Sequence, residues 1–181
     1  MKNHHRLLFP GQKTDEHVYL LTRRHWIVLA KEILVWLIFV VMLLIFDNTI
    51  LPSFPAFSEP PFPPIINLLK SLYTMFLIMG LLIIWVIYYL NYQVVTNERI
   101  VDIDQKNLLY HNTSELHLQS LQDVTVEVKG ILPTFFNFGT VYIQTAGASR
   151  NFEFDNIPNP HAVAKLILEL HQKFQPGQKS L

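Results

Sequence analysis

The chain has 181 residues, of which 50% are hydrophobic and 15% charged, and its mean hydropathy is +0.25. Fourteen basic residues balance fourteen acidic ones, so no overall charge would attract the chain to nucleic acid. The absence of cysteine excludes a disulfide framework, thiolate metal sites and a cysteine nucleophile. This composition indicates membrane-spanning segments rather than an ordinary soluble domain.

Two apolar segments predict transmembrane helices, at residues 26–46 and 65–92. The first is apolar except for Lys31 and Glu32, and as a helix it would extend about 31 Å, which matches the hydrocarbon core of a bilayer. We interpret these two charges as an interfacial pair, with a buried functional ion pair as the alternative. The second contains an uncharged apolar run and ends in an aromatic cluster typical of a membrane interface, formed by Tyr88, Tyr89 and Tyr92.

The distribution of charge predicts the orientation of these helices. Residues 1–31 carry a net charge of +4, whereas the connection 47–64 contains no Lys or Arg. Basic residues flank membrane spans on the cytoplasmic side, so we expect a multi-pass plasma-membrane protein with both termini in the cytoplasm. Residues 1–25 are then a basic cytoplasmic segment. The six prolines of the outer loop 47–64 predict a stiff, extended connector on the outer leaflet, with a ligand for a partner protein as the alternative.

From residue 93 the pattern changes to the alternation of a small antiparallel sheet, which ends in a helix. Period-two alternation and turn signals predict short strands at 92–96, 99–104, 108–114, 124–128, 140–145 and 150–154, with a hairpin turn at 146–149. Asn159 is expected to be the N-cap of a helix beginning at Pro160. One face of that helix is apolar and is expected to cover the open end of the sheet. We therefore place a cytoplasmic β domain at 93–175 and a tail at 176–181.

Several short motifs resemble those of bacterial pleckstrin-homology-like (PH-like) membrane proteins. They are Phe9-Pro-Gly-Gln12, Arg24-His-Trp26, Val95-Thr-Asn-Glu-Arg99-Ile, Leu118-Gln-Ser-Leu-Gln-Asp-Val124, Gly130 followed by Phe138-Gly-Thr-Val-Tyr-Ile143, and Ile157-Pro-Asn-Pro160. The resemblance implies an α+β membrane protein: two transmembrane helices, then a small antiparallel PH-like β-barrel or sheet of about seven strands, closed at one end by the C-terminal helix. It also implies a binding or scaffolding role with no catalytic site.

The sequence carries none of the common enzyme motifs and predicts no cofactor. A phosphate-binding glycine loop, a His-Glu-x-x-His motif and a Gly-x-Ser-x-Gly motif are all missing. His111 and His117 flank a predicted turn without a further ligand, so no metal site is predicted. A small transporter or an enzyme subunit is a further alternative, but the second span has no polar group at its centre.

Two binding functions remain open for the β domain. In the first, a sheet edge or the groove beside the last helix binds a partner protein or a second copy of the chain, so that the domain acts as a scaffold or adaptor. In the second, the Phe-rich loop 131–138 contacts the inner leaflet of the membrane, including a lipid headgroup. The candidate binding residues are Lys129, Phe135, Phe136 and Phe138. Alternatively, Phe136 and Phe138 fill the end of the barrel.

Overall fold

The computed structural model describes residues 11–13, 15–107, 110–145 and 152–174, without the side chain of Lys106. The chain divides into two compact units. One unit, the helical hairpin, is Trp26–Tyr89. The other, which we call the β domain, combines the chain up to His25 with the chain from Leu90 onward. The β domain is therefore discontinuous in sequence.

Two antiparallel sheets form the β domain. The first has the order β1-β2-β3-β4, with strands Val18–Thr22, Tyr92–Thr96, Arg99–Asn107 and Tyr110–His117. The second has the order β5-β6-β7, with strands Leu121–Glu127, Phe138–Thr145 and Phe152–Pro158. The 3-10 turn Leu118–Ser120 connects the two sheets. The fold is thus a mixed helix and antiparallel-sheet structure with seven described strands, and the sheets do not close into a barrel.

Strand β1 corrects the expectation that residues 1–25 are a segment apart from the sheet. It pairs antiparallel with β2, and Thr22 lies opposite Gln93. Leu20 packs against the main core of the domain. The pairing was missed because its partner strand lies about 70 residues away in sequence, beyond the reach of any local pattern.

The other strands lie close to their predicted positions, with shifted ends. The third predicted strand, 108–114, is β4 at Tyr110–His117, and the fourth, 124–128, is β5 at Leu121–Glu127. Strand β4 ends later than predicted because Glu115–His117 pair with β3, and β5 begins earlier because Leu121 and Asp123 pair with β6. The predicted turn 146–149 lies outside the described residues.

The core lies between the sheets and the last helix, α5 (Pro160–Phe174). This helix begins at the predicted residue and contacts β5, β6 and the 3-10 turn. Its predicted apolar face is confirmed, because Val163, Ile167 and Leu170 are buried. The main core cluster consists of Val95, Ile100, Leu116, Leu118, Leu121, Val141, Ile143, Phe154, Ile157, Val163, Ala164, Ile167 and Leu170.

The hairpin contains two long apolar helices and a short connection. Helix α1 (Trp26–Ile45) continues through a π turn (Phe46–Ile50) into α2 (Leu51–Ser53), so the helical run is 28 residues. Helix α3 (Phe62–Leu90) has 29 residues. The Trp36 indole N–H donates a hydrogen bond to the carbonyl oxygen of Leu77 at 2.9 Å. The hydroxyl of Tyr73 donates one to the carbonyl oxygen of Phe39 at 3.1 Å. These bonds tie the two helices together.

The Pro-rich connection differs from the extended connector expected at 47–64. Residues 47–53 remain helical, and Pro55–Ser58 form a 3-10 turn. Proline fits the first turn of a helix, so the prolines here begin helical turns instead of an extended run. Lys70 of α3 forms an ion pair with Asp47 at 2.6 Å, which fixes this end of the hairpin.

Candidate functional site

The Phe-rich segment between β5 and β6 is a short helix, α4 (Ile131–Phe136), instead of the expected loop. Gly130 precedes it with φ 114°, and Asn137 ends it with φ 52° in the left-handed region. Glycine and asparagine are the residues that adopt such conformations at low cost. The hydroxyl of Thr134 donates to the carbonyl oxygen of Gly130 at 2.8 Å. The chain therefore turns sharply on both sides of α4 and presents it as a compact projection.

Four large apolar side chains of α4 are exposed to solvent. Ile131 is 88% exposed and Phe135 79% exposed, and Leu132 and Phe136 are also exposed. The rings of Phe135 and Phe136 contact each other edge to face, with centroids 5.0 Å apart. We call these four residues the apolar apex. Contiguous exposed apolar surface is a feature of many interaction sites, so the apolar apex is the candidate contact surface of the β domain.

Phe138 lies at the base of the apolar apex and not on it. It is only 5% exposed, and its ring stacks on that of His25 with centroids 4.8 Å apart. This corrects the grouping of Phe138 with the contact residues, because it is the first residue of β6 and its side chain points into the domain. The backbone N–H of His25 also donates to the carbonyl oxygen of Asn156 at 2.6 Å. Burial lowers the pKa of His25, which favours the neutral imidazole.

Two asparagines form hydrogen bonds at the base of the apex, and a glycine beside them allows two strands to approach closely. Asn137 and Asn159 form two hydrogen bonds: the backbone N–H of Asn159 to the carbonyl of Asn137 at 2.9 Å, and Asn137 Nδ2 to Asn159 Oδ1 at 2.6 Å. The predicted cap residue thus uses its side chain to hold the apex. A Cβ on Gly139 would lie 2.5 Å from the carbonyl oxygen of Glu127, so no larger residue fits there. These contacts fix the apex to the core.

Lys129, the remaining predicted binding residue, is exposed beside the apex. Its ammonium group lies 3.8 Å from a carboxylate oxygen of Glu127. The hydroxyl of Tyr142 donates to the other oxygen of that carboxylate at 3.1 Å, and this hydrogen bond raises the pKa of Tyr142. The charge of Lys129 is therefore partly balanced by its own neighbour. Lys129 alone therefore does not form a binding site for an anionic headgroup.

A buried ion pair joins the residues before β1 to the start of β3. Arg99 donates to both carboxylate oxygens of Glu16, at 2.9 and 3.0 Å, and to Glu115 at 2.5 Å. Thr96 adds a hydrogen bond to Glu16 at 2.8 Å. Burial by itself would raise the pKa of Glu16, but the hydrogen bonds and charge of Arg99, with those from Lys13 and Thr96, outweigh it and hold the pKa below its usual value. Thr96 and Arg99 of the Val95–Arg99 motif therefore stabilise the fold of the β domain through their bonds to Glu16.

A second cluster of charged side chains, which no pattern in the sequence predicts, lies in the β domain beside the residues that lead into the hairpin. Arg24 contacts Asp104 at 3.2 Å and Asp155 at 3.9 Å. On the same face of β3, Asp102 accepts a hydrogen bond from Gln93 at 3.1 Å. Burial, with the charges of Asp104 and Asp155 adding to it, raises the pKa of Asp102 to about 6. Asn91 bonds the backbone of Gln105 through both side-chain atoms.

This end of the β domain, which we call the junction end, therefore carries both connections to the hairpin. His25 directly precedes α1, and Asn91 directly follows α3. Since His25 stacks on Phe138, the base of the apolar apex also lies at the junction end. No pattern in the sequence brings His25 and Phe138 together. Among the described residues, no group of three His, Cys, Asp or Glu side chains is arranged to hold a metal ion.

Comparison with known proteins fits this architecture. Residues 27–171 match the family model of the bacterial PH domain, which is most of the 181-residue chain. The chain belongs to the bacterial PH domain family. The match extends through the hairpin as well as the β domain. It confirms the family that the motifs indicated.

A solved structure is also similar in part. It is the crystal structure of a DUF1696 family protein with a pleckstrin-homology domain from Shewanella loihica, 15% identical in sequence. The similarity covers 45% of this chain and 70% of that one, with a TM-score of 0.36. No curated protein matches the sequence at a significant level.

Proposed function

We propose that this bacterial PH domain protein is a membrane-anchored, non-catalytic binding module that presents the apolar apex as its contact surface. Two arguments support the proposal. The helical hairpin has the properties of a membrane anchor, and the β domain joins both ends of that hairpin.

The helical hairpin suits a bilayer better than water. Its two helical runs, Trp26–Ser53 and Phe62–Leu90, contain 18-residue segments with mean hydropathies of 2.6 and 2.1, and 0% and 6% of the residues in those segments are buried within the chain. Helices of 28 and 29 residues would extend about 42 Å, enough to cross a bilayer with its interfaces. The contacts of Trp85 with Tyr89 and of Tyr88 with Tyr89 form an aromatic cluster at the end of α3, suited to an interface.

The observation that carries the proposal is the pairing of β1 with β2 across the hairpin. Thr22 and Gln93 are neighbours in the sheet, and Glu16 binds Arg99, although the whole hairpin lies between them in sequence. One folded domain cannot have its strands on opposite sides of a bilayer. The two helices must therefore cross the membrane an even number of times, with the β domain on one side. The basic residues before α1 favour the cytoplasmic side of the plasma membrane.

A second candidate function is a scaffold that binds an extended peptide at a sheet edge. Strand β4 is the outer strand of the first sheet, and its residues Tyr110–Thr113 are exposed. It contains neither Pro nor Lys, the residues that usually block such an edge. Addition of a partner strand there would use main-chain hydrogen bonds. We favour the apolar apex, because exposed apolar side chains gain free energy when they leave water, whereas the main-chain groups of a strand edge can form hydrogen bonds to water instead.

Cysteine labelling of the full chain tests the anchored topology directly, because the natural sequence contains no cysteine. Three single substitutions at exposed described positions are suitable: Asp15→Cys, Gln122→Cys and Ser58→Cys. In membrane vesicles, an impermeant maleimide should label the first two from one side and the third only from the other. The protein should also stay in the membrane after alkaline carbonate extraction.

Two results would contradict the proposal. One is release of the chain by carbonate. The other is labelling of Ser58→Cys from the same side as Gln122→Cys, which would mean that the connection between the helices never crosses.

A further inference from the structure

We propose that the apolar apex inserts into the interfacial layer of the same bilayer that holds the hairpin, so that the β domain is docked on the membrane and not suspended from it. This inference rests on the proposed function, since it requires α1 to lie in the membrane. Its occupant is the lipid interface itself, contacted through apolar side chains.

The apex lies at the end of the β domain that leads into α1. The ring of His25 stacks on Phe138, and the apex ends only two residues before Phe138. Three residues of chain reach at most about 10 Å, so Phe135 lies close to His25, the last residue of the β domain before the hairpin. If Trp26 starts the membrane helix, His25 lies at the headgroup layer, and this layer is several ångströms thick on each side of the hydrocarbon core. The apex is therefore within reach of that layer.

Ile131 and Leu132 begin α4, and Phe135 and Phe136 end it, so one short helix presents two aliphatic and two aromatic side chains. Phe and Leu side chains on the apolar face of interfacial helices enter the boundary between headgroups and acyl chains. Because Gly130, Asn137 and the Thr134 hydrogen bond already fix the turn, insertion would order little additional backbone.

The tether to the hairpin decides between the bilayer and a partner protein. A protein partner must be met by diffusion, whereas the hairpin already holds the junction end beside the lipid at high local concentration. Charge does not oppose this contact. Residues 1–25 carry five basic and two acidic side chains and residues 90–181 carry seven and nine, which gives the β domain a net charge of +1. The observations therefore favour lipid at the apex.

The test is a fluorescence measurement on the full chain reconstituted into phosphatidylcholine vesicles. Single cysteines at the apex, Phe135→Cys and Ile131→Cys, are labelled with an environment-sensitive fluorophore. Both side chains are largely exposed, so neither change removes a core contact. Leu168→Cys on the outer face of α5 is the matched control, because it replaces an exposed apolar residue of the same domain away from the apex.

We expect a blue-shifted emission for both apex labels and strong quenching by lipids that carry a nitroxide near the headgroup, with neither effect at residue 168. Water-like emission at the apex, equal to that of the control, overturns the inference. A blue shift without quenching by nitroxide lipid also overturns it, because the apex is then covered by protein. Carbonate extraction of the same vesicles separates this failure from failure of the anchored topology.

Discussion

Arg99 donates two hydrogen bonds, at 2.9 and 3.0 Å, to the carboxylate of Glu16, which lies 83 residues earlier in the sequence. Glu16 is 3% exposed and Arg99 8% exposed, so the pair is almost fully removed from water. Buried ion pairs tolerate the loss of one partner poorly, because the remaining charge is left without compensation. The pair therefore makes the segment before α1 indispensable to the β domain.

The substitution Arg99→Gln should destabilise the β domain by about 3–5 kcal/mol, since it leaves Glu16 buried and unpaired. The change is measured on the full chain in detergent, by pulse proteolysis in urea. The double variant Glu16→Gln/Arg99→Gln should be less destabilised than the sum of the two single variants, because no buried charge is left unpaired and the carboxylate released from Arg99, that of Glu115, is partly exposed.

Lys13→Ala is the control for this pair, because it removes the surface ion pair between Lys13 and Glu98 on the same segment. Exposed pairs contribute up to about 1 kcal/mol, so its effect should be small. Equal losses for Lys13→Ala and Arg99→Gln would show that burial of the Glu16–Arg99 pair is not what matters.

Asp102 should make the stability of the β domain decrease as the pH rises toward neutrality. Its pKa is raised from 3.8 to about 6, so the folded state binds the proton more tightly than the unfolded state does. That contribution is fully present below the unfolded value and is lost as the pH rises through about 6. Asp102→Asn should therefore stabilise the domain by about 1–2 kcal/mol above pH 7, a value reduced from the full linkage because Asp102 is only partly buried.

The measurement compares the urea midpoints of Asp102→Asn and the natural chain at about pH 5 and about pH 7.5. The difference between the two midpoints should be larger at the higher pH. Glu169→Gln on the exposed face of α5 is the control and should show no such widening. A midpoint difference that becomes smaller as the pH rises would mean that the folded state does not raise the pKa of Asp102. Glu16 acts in the opposite sense, because its lowered pKa means that its contribution is lost as the pH falls.

Gly139→Ala should disrupt the attachment of the apex to the sheet. The new Cβ would lie 2.5 Å from the carbonyl oxygen of Glu127, a backbone atom that cannot move aside without distorting β5. We expect a loss of at least about 2 kcal/mol in unfolding free energy. Gly80→Ala in α3 is the matched control, since its Cβ would lie 3.8 Å from the side chain of Trp36, an ordinary contact. Unchanged stability for Gly139→Ala would contradict the backbone contact.

Contact of the apex with lipid should depend little on headgroup charge. The β domain has a net charge of +1, and the ammonium group of Lys129, two residues before the apex in sequence, lies 3.8 Å from a carboxylate oxygen of Glu127. Quenching of the Phe135→Cys label should therefore be similar in neutral and anionic vesicles and should resist added salt. Lys129→Ala should leave the quenching unchanged. A steep rise with anionic lipid, abolished by Lys129→Ala, would indicate headgroup recognition instead.

The elements with strong local patterns could be predicted from the sequence. The long apolar helices, the alternating strands β2 and β3, and the helix that begins at Pro160 all depend on periodicity or on capping residues within a few positions. Their ends were less predictable, because they depend on partner strands and on turns that only tertiary contacts select.

The candidate site was predictable only in part. The concentration of phenylalanine drew attention to residues 131–138, but which rings face solvent depends on the left-handed conformation of Asn137 and on the stack of Phe138 with His25. Asn137 is held by hydrogen bonds to Asn159, and Phe138 by its stack with His25, so both features depend on residues distant in sequence. The same is true of β1 and of the Glu16–Arg99 pair, whose two halves lie on either side of an apolar segment that resembles a boundary between domains.

The interruption of one sheet by two long apolar helices also constrains how the protein is made. Residues 11–22 leave the ribosome first, yet β2 and Arg99 are synthesised only after the entire hairpin. Until then, β1 has no strand to pair with and Glu16 no guanidinium to bind. If the hairpin spans a bilayer as proposed, completion of the sheet requires correct insertion of both helices, and a chain whose second helix fails to insert should be left with an incomplete, protease-sensitive domain.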